Sequence, residues 1–286
     1  MFKVSFFIAK KPQIALDDFR RYWLSEHAEL VSRYAQQIGV RQYIKCEVLH
    51  DHPMTLDGTA AYQTAPSRYD FVDHWIFNDI NELRLGAELP EVVSLMQAAH
   101  ESEAEYVDHA HSNVQMSVDL PQFFPVDGNE VRATEDSPYL KIYYTVRVFS
   151  HLSRAQAQLH WNACHGAESR QHIRYSKQKK YIQAHAIDST FVDRLAAKRG
   201  YEVDPTFIGH AEGWIDPEQG PNNIPETEMA RIVGMTMDDI DLFSDKKRGH
   251  VFFCKEHFVL DEPAVARTNT TEGGNSMPAF FSALYD

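Results

Sequence analysis

The chain has 286 residues, enough for two compact units of roughly 100–150 residues each. Hydrophobic residues make up 43% and charged residues 24%, as in ordinary soluble globular proteins. The net charge of −13 argues against binding to nucleic acids or anionic membranes, because both need a basic surface. Cys46, Cys164 and Cys254 are too few and too scattered for a disulfide framework or a zinc knuckle. The first ten residues are too short for a membrane span and lack a small-residue cleavage site, so we expect a cytoplasmic protein.

The first half of the chain predicts the element order β-α-β-β-α-β. A strand rich in Phe, Val and Ile at 3–10 is followed by an amphipathic helix over 15–37, whose apolar residues recur every three or four positions. Gly39 ends this helix. Strands at 41–49 and 69–77 are separated by a loop that contains Pro and Gly. A helix over 80–106, with a break near Pro90, and a strand at 113–119 complete the unit.

The second half predicts the same order. Strands are expected at 140–148, 181–187, 207–215 and 251–260, with helices over about 153–175 and within about 226–247. Three prolines and Gly128 in residues 120–138 are typical of a linker. We therefore predict one unit at 1–119, a linker at 120–138, a second unit at 139–261 and a C-terminal tail at 262–286.

The two halves also align residue by residue at an offset of 138. Trp23 then corresponds to Trp161, His27 to His165 and Tyr43 to Tyr181, and no gap is needed from residue 2 to about residue 77. Each single match is weak, but the shared Trp-x-x-x-His and Tyr-Ile pairs at one offset indicate an internal duplication.

The segment from Phe19 to Leu30 contains the pattern F-x-x-Y-W-x-x-x-H-A and resembles the signature of EthD-domain proteins. In the second half, Trp161 and His165 keep the matching places, and residues 207–216 and 256–259 resemble the third and last strands of that family. The resemblance implies an α+β fold of ferredoxin-like units forming a dimeric α+β barrel, in which two four-stranded sheets pack face to face under outer helices. Members are usually homodimers, so the duplication would build this barrel within one chain, either a monomer or a homodimer.

His27 is the candidate for chemistry in the first unit. It lies four residues after Trp23 on the apolar helix face, so it should point inward. A histidine there suits general acid–base catalysis near neutral pH, but a core histidine bonded to a backbone carbonyl fits equally well.

The second unit carries a more polar stripe. His165, Glu168 and His172 stand where the first unit has His27, Leu30 and Tyr34. A carboxylate on an inward face predicts a cavity with polar partners, unless the helix turns these groups to solvent. We therefore expect the larger, polar-lined cavity in the second unit and an aromatic-filled space in the first.

Glu212 is a further acid–base candidate, since it alternates to the same strand face as His210 and Trp214; a simple salt bridge is the alternative. The proposed catalytic set is thus His165, Glu168, His172, Glu212 and His27. The proposed substrate-binding set is Trp23, Trp161, Tyr43, Tyr181, His74 and Trp214.

These residues predict a cofactor-independent enzyme of the lyase or isomerase type. Dehydration, decarboxylation or cyclisation of a small aromatic or polyketide-like molecule would proceed through His and Glu proton transfer. No phosphate loop or dinucleotide fingerprint is present, and the metal-ligand types lack a zinc signature, so we predict no organic cofactor and no metal. The alternatives are a non-catalytic module for an apolar ligand and a haem- or metal-dependent oxidative enzyme.

Overall fold

The computed structural model describes residues 1–125, 130–172, 178–218 and 225–262. The first unit comprises β1 (Phe2–Ile8), α1 (Leu16–Leu24), α2 (Glu26–Ala35), β2 (Gln42–Val48), α3 (Pro53–Tyr62), β3 (Phe71–Phe77), α4 (Ile80–Gly86), α5 (Pro90–Tyr106) and β4 (Asn113–Phe123). The second comprises β5 (Leu140–Arg147), α6 (Arg154–His160), a π-helical turn (Trp161–His165), α7 (Gly166–His172), β6 (Gln178–Ile187), α8 (Thr190–Arg199), β7 (Phe207–Ile215), α9 (Glu226–Phe243) and β8 (Val251–Asp261). The predicted tail lies outside the described residues from residue 263 onward.

The eight strands close an antiparallel barrel in the order β1-β3-β2-β8-β5-β7-β6-β4. Each unit contributes four neighbouring strands, β4-β1-β3-β2 and β8-β5-β7-β6, and the two sheets join where β2 pairs with β8 and β4 with β6. The chain therefore forms a dimeric α+β barrel by itself, which confirms the predicted fold. No helix in the described ranges is long and apolar enough to cross a membrane.

The strand register reproduces the offset of 138. Phe6 pairs with Asp73 in the first unit, and Tyr144 pairs with Ala211 in the second, each 138 residues later. The neighbouring ladder behaves in the same way, since Tyr43 faces Trp75 and Tyr181 faces Gly213. The boundaries of the two units stay predictions; β4 itself extends four residues into the predicted linker.

The signature helix predicted as continuous is interrupted in both units. In the first, α1 and α2 meet at Ser25, which has φ −115° and ψ −84° and whose hydroxyl donates to the carbonyl of Arg21 at 2.5 Å. This side-chain bond competes with the helical backbone pattern. In the second, the interruption is the π-helical turn Trp161–His165, a feature that often accompanies functional sites.

Two helices were not predicted, and both lie in the connection between the second and third strands of a unit. Each one packs on the opposite unit. The Thr55 hydroxyl of α3 accepts a hydrogen bond from the Phe253 amide of β8 at 3.2 Å, whereas α8 inserts Val192 and Leu195 into the apolar core of the first unit. The apolar residues of α3 show no helical periodicity, so its stability comes from this tertiary packing rather than from an amphipathic pattern.

Candidate active site

A cavity of about 220 Å³ lies in the second unit, between the outer face of its sheet and its helices. Its walls are chiefly apolar and aromatic, and the aromatic side chains are Tyr62, Tyr144, Trp161, Tyr181 and Phe243. A smaller set of polar side chains also lines it: His165, Ser169, His172, Gln178 and Thr236. A dry cavity of about 150 Å³ can hold benzene, so this space suits a ligand somewhat larger than one ring.

Small residues on β7 create the space. At an offset of 138, Ala211 and Gly213 replace Asp73 and Trp75 of the first unit. A Cβ atom on Gly213 would already approach the Ile142 Cγ2 atom to 2.9 Å. The equivalent space in the first unit measures only about 10 Å³. The expected asymmetry is therefore present, but the lining is mostly apolar rather than polar as we predicted.

A hydrogen-bonded His–Asp pair stands at the cavity wall. His165 ends the π-helical turn, and its Nδ1 atom lies 2.9 Å from one carboxylate oxygen of Asp239 on α9. The other oxygen lies 2.8 Å from His160 Nε2. Because an ionised carboxylate only accepts, Nδ1 of His165 carries the hydrogen, and the neutral ring keeps Nε2 as a proton acceptor.

The electrostatics of this pair favour an ionised carboxylate. Burial alone would raise the pKa of Asp239, but the hydrogen bonds from His165 and His160 outweigh burial and lower the pKa below its ordinary value. An anionic partner on Nδ1 fixes the orientation of the His165 ring and would stabilise an imidazolium that forms during a reaction.

Glu168 and His172 lie beside this pair. The Thr236 hydroxyl donates to Glu168 Oε1 at 3.3 Å, and Nδ1 of His172 lies 3.9 Å from the same oxygen. The structure thus brings together the three residues of the predicted polar stripe. Ligand atoms of His165, Glu168 and Asp239 lie within 4.8 Å of one another and could hold a divalent cation. An ion bound through Nδ1 of His165 would displace the hydrogen that this atom shares with Asp239.

His27 occupies the corresponding place in the first unit, within a closed polar network. The ammonium of Lys45 donates to His27 Nδ1 at 2.9 Å, and His27 Nε2 donates to Glu103 at 2.9 Å. Burial and the nearby Lys45 lower the pKa of His27 to about 4, so the ring is neutral at ordinary pH. This geometry is that of a core histidine, although its partners are the Lys45 and Glu103 side chains rather than the expected backbone carbonyl, and the predicted acid–base role of His27 stays untested.

Trp23 and Tyr43 belong to the same network and do not reach the large cavity. Trp23 stacks on His27 at 3.6 Å between ring centroids, and its indole donates to Asp73 at 3.0 Å. The Tyr43 hydroxyl donates to the other oxygen of Asp73 at 2.8 Å. Their counterparts Trp161 and Tyr181, by contrast, line the cavity of the second unit.

The remaining predicted residues lie inside the barrel. Glu212 and Trp214 share the inner face of β7 with His210, as their alternation predicted, while Ala211 and Gly213 face the cavity. Lys141 pairs with Glu212 at 2.7 Å, and the ammonium of Lys3 also contacts it. The structure therefore separates Glu212 from the cavity where His165 lies, and it supports the salt-bridge alternative.

Glu212 is ionised in this interior cluster. Its burial would raise the pKa, but Lys141 and Lys3 hold the pKa well below the usual range. The Nε2 atom of His74 forms a hydrogen bond of 2.6 Å with the Tyr143 hydroxyl, and His74 does not line the cavity either. His74, His210 and Glu212 also offer metal-ligand atoms within 4.8 Å, but the two ammonium groups on Glu212 disfavour a cation there.

Sequence reasoning missed Asp239 and Tyr62. Asp239 stands in a predicted helix among several acidic residues, and no pattern distinguishes it from Asp238 or Asp241. Tyr62 belongs to α3, in a segment whose Pro and Gly residues predict a loop, and it reaches the cavity from the opposite unit. Only the tertiary structure places either residue at the site.

The fold and this cavity define a single-chain dimeric α+β barrel protein with a ligand-sized cavity in its second unit. Residues 11–112, within the first unit, match the model of the EthD domain family, which agrees with the resemblance of that half of the chain. No curated protein matches the chain at a significant level.

Two solved structures align with most of the chain. An anthrone oxidase-like protein shares 8% identity at a TM-score of 0.50, over 93% of this chain and 95% of its own. A protein from Lactobacillus acidophilus NCFM, named as a candidate monooxygenase, shares 10% identity at a TM-score of 0.43, over 92% and 97%. At these identities the likeness concerns the fold, and the site must be argued from its own residues.

Proposed function

We propose that the chain is an enzyme that binds a small, uncharged aromatic or polyketide-like molecule in the cavity of the second unit and transfers a proton with His165. The observation that carries this proposal is the His165–Asp239 pair at the wall of an aromatic cavity. None of the described lining residues is Lys or Arg, so these residues offer no fixed positive charge to an anionic ligand.

The proposed chemistry needs proton transfer only. His165 Nε2 accepts a proton from an acidic C–H or O–H group next to a carbonyl, while Asp239 stabilises the resulting imidazolium. The same proton then returns to the leaving hydroxyl in a dehydration, or to the acceptor carbonyl oxygen in an aldol-type cyclisation. In a decarboxylation the proton comes from the carboxyl group and returns to the carbon that has lost CO2. No electrons are gained or lost in these lyase and isomerase reactions, so His165 and Asp239 suffice without an organic cofactor.

Tyr181 is the proposed donor to the substrate oxygen. Burial raises its pKa to about 12, so the phenol stays protonated. Its oxygen accepts a long hydrogen bond of 3.4 Å from the Gln183 amide, which leaves the hydroxyl hydrogen available for an enolate or carbonyl. Trp161 forms an adjacent aromatic wall on which a flat ligand can stack.

The test uses a neutral bicyclic probe that needs only a base. In 5-nitrobenzisoxazole, loss of the C–H proton to the base breaks the N–O bond and releases a coloured nitrile phenolate. Wild-type protein should accelerate this ring opening, and His165→Gln should lower the rate by about 10²–10⁴-fold, the usual contribution of a general base.

His27→Gln is the matched control from the first unit. We expect it to keep the rate, since His27 lies in a closed network remote from the cavity lining. Equal rates for wild type and His165→Gln, with probe binding retained, would exclude His165 as the base and favour the non-catalytic binding alternative.

A further inference from the structure

The two unpredicted helices close the sites of the opposite units in equivalent ways. The residues that cap the C-termini of α3 and α8 are Gln63 and Gly200, and both are left-handed, with φ 54° and 73°. Just beyond, Ala65 bridges His250, and Glu202 bridges Asn113 in the same parallel sense. Ala65 and Glu202 are 137 residues apart, and so are Asn113 and His250. Tyr62 and Arg199, which each directly precede a left-handed cap, therefore hold equivalent places.

Arg199 fills the site of the first unit. Its guanidinium contacts both carboxylate oxygens of Glu103, at 2.9 and 3.0 Å, and the pair is almost fully buried. Glu103 in turn accepts from His27. The buried ion pair therefore occupies the place where a ligand would lie and leaves only the space of about 10 Å³.

Tyr62, at the equivalent place, leaves the cavity of the second unit open. Its ring lines the cavity and packs at 5.5 Å, centroid to centroid, against Tyr144. Within the described ranges its hydroxyl has no hydrogen-bond partner, and its oxygen is not among the fully buried atoms that lack a partner. A phenol without a protein partner at a ligand-sized space is a donor for whatever occupies that space.

We propose that Tyr62, supplied by the first unit, completes the ligand site of the second unit and selects oxygen-bearing aromatic ligands. This inference rests on the proposed function, because it assumes that the cavity binds a small aromatic molecule. The ring of Tyr62 covers the ligand beside Tyr144, and its hydroxyl donates to a ligand oxygen. Each site is then closed by the partner unit, by Arg199 in one case and by Tyr62 in the other.

The experiment compares 2-naphthol with naphthalene, which differ by one hydroxyl. Tyr62→Phe should weaken 2-naphthol binding by about 2–13-fold, the net worth of one neutral hydrogen bond, and leave naphthalene binding unchanged. Tyr62→Ala, which also removes the ring, should weaken both ligands. Probe fluorescence during titration measures both dissociation constants.

Leu56→Ala is the matched control on the same helix, since Leu56 is 58% exposed and does not line the cavity. It should bind both probes as wild type does. Equal effects of Tyr62→Phe on both probes, or no effect on either, would overturn the role of Tyr62 while leaving the proposed function intact. Failure of the wild-type protein to bind either probe would overturn both.

Discussion

Replacing Asp239 with Asn tests how the His165 base is activated. The amide keeps the shape of the side chain but has one acceptor oxygen for two imidazole N–H donors, those of His160 and His165. Loss of the negative charge also removes the stabilisation of the imidazolium. For charges about 4 Å apart at an effective dielectric constant of about 20, that attraction is roughly 4 kcal/mol, which corresponds to about 10³ in rate.

The assay is the initial rate of 5-nitrobenzisoxazole opening, with kcat and KM measured separately. Asp239→Asn should lower kcat by about 10²–10⁴-fold with little change in KM, because the carboxylate acts on the proton and not on the probe. Ser102→Ala is the matched control, because Ser102 holds the place of Asp239 in the first unit. The Ser102 hydroxyl forms a hydrogen bond of 2.7 Å with Tyr22, and Asp239 forms the equivalent bond with His160. An Asp239→Asn protein that retains most of its kcat, while His165→Gln loses it, would refute activation by Asp239.

Three further outcomes are expected. Gly213→Trp restores the residue of the first unit and should abolish 2-naphthol binding, as followed by fluorescence, because the indole would occupy the cavity; undiminished binding would place the ligand elsewhere. The pKa of His27 is about 4 in the folded protein and about 6.5 when unfolded, so the unfolded chain takes up the proton first and the free energy of unfolding falls as pH drops from about 6.5 to 4. His27→Gln should reduce the slope of the unfolding free energy against pH by up to about 1.4 kcal/mol per pH unit, the value for one proton, in urea titrations at several pH values. An unchanged slope would contradict the lowered pKa. Dialysis against a chelator should leave the 5-nitrobenzisoxazole rate unchanged, whereas loss of the rate and its recovery with added metal would assign a cation to His165, Glu168 and Asp239.

The duplication could be predicted from the sequence, because it depends on local patterns that recur, whereas the barrel was implied by the resemblance to EthD-domain proteins. Alternation along the strands decides which side chains face the helices, so Glu212 and Trp214 were assigned correctly to the same face as His210. The pairs Trp23 with Trp161 and His27 with His165 followed from one offset, and the strand register repeats that offset.

The sequence does not determine which face of β7 lies against the helices and which lies inside the barrel. Glu212 was grouped with His165, yet its strand face turns into the barrel, where Lys3 and Lys141 neutralise it. A carboxylate among apolar neighbours signals a partner, but a single sequence does not state whether the partner is a substrate or a lysine from another strand.

The amino-acid sequence by itself determined the repeated unit, the order of its elements and the polar stripe of His165, Glu168 and His172. Only the tertiary structure decided that Asp239 contacts His165 and that Tyr62 reaches the cavity of the second unit from the first. It also decided that Gly213 leaves this cavity open, whereas Trp75 fills the equivalent space in the first unit. The physical reason is distance along the chain. Periodicity reports the face on which a residue lies, whereas the partner that it meets depends on how elements far apart in the chain pack together.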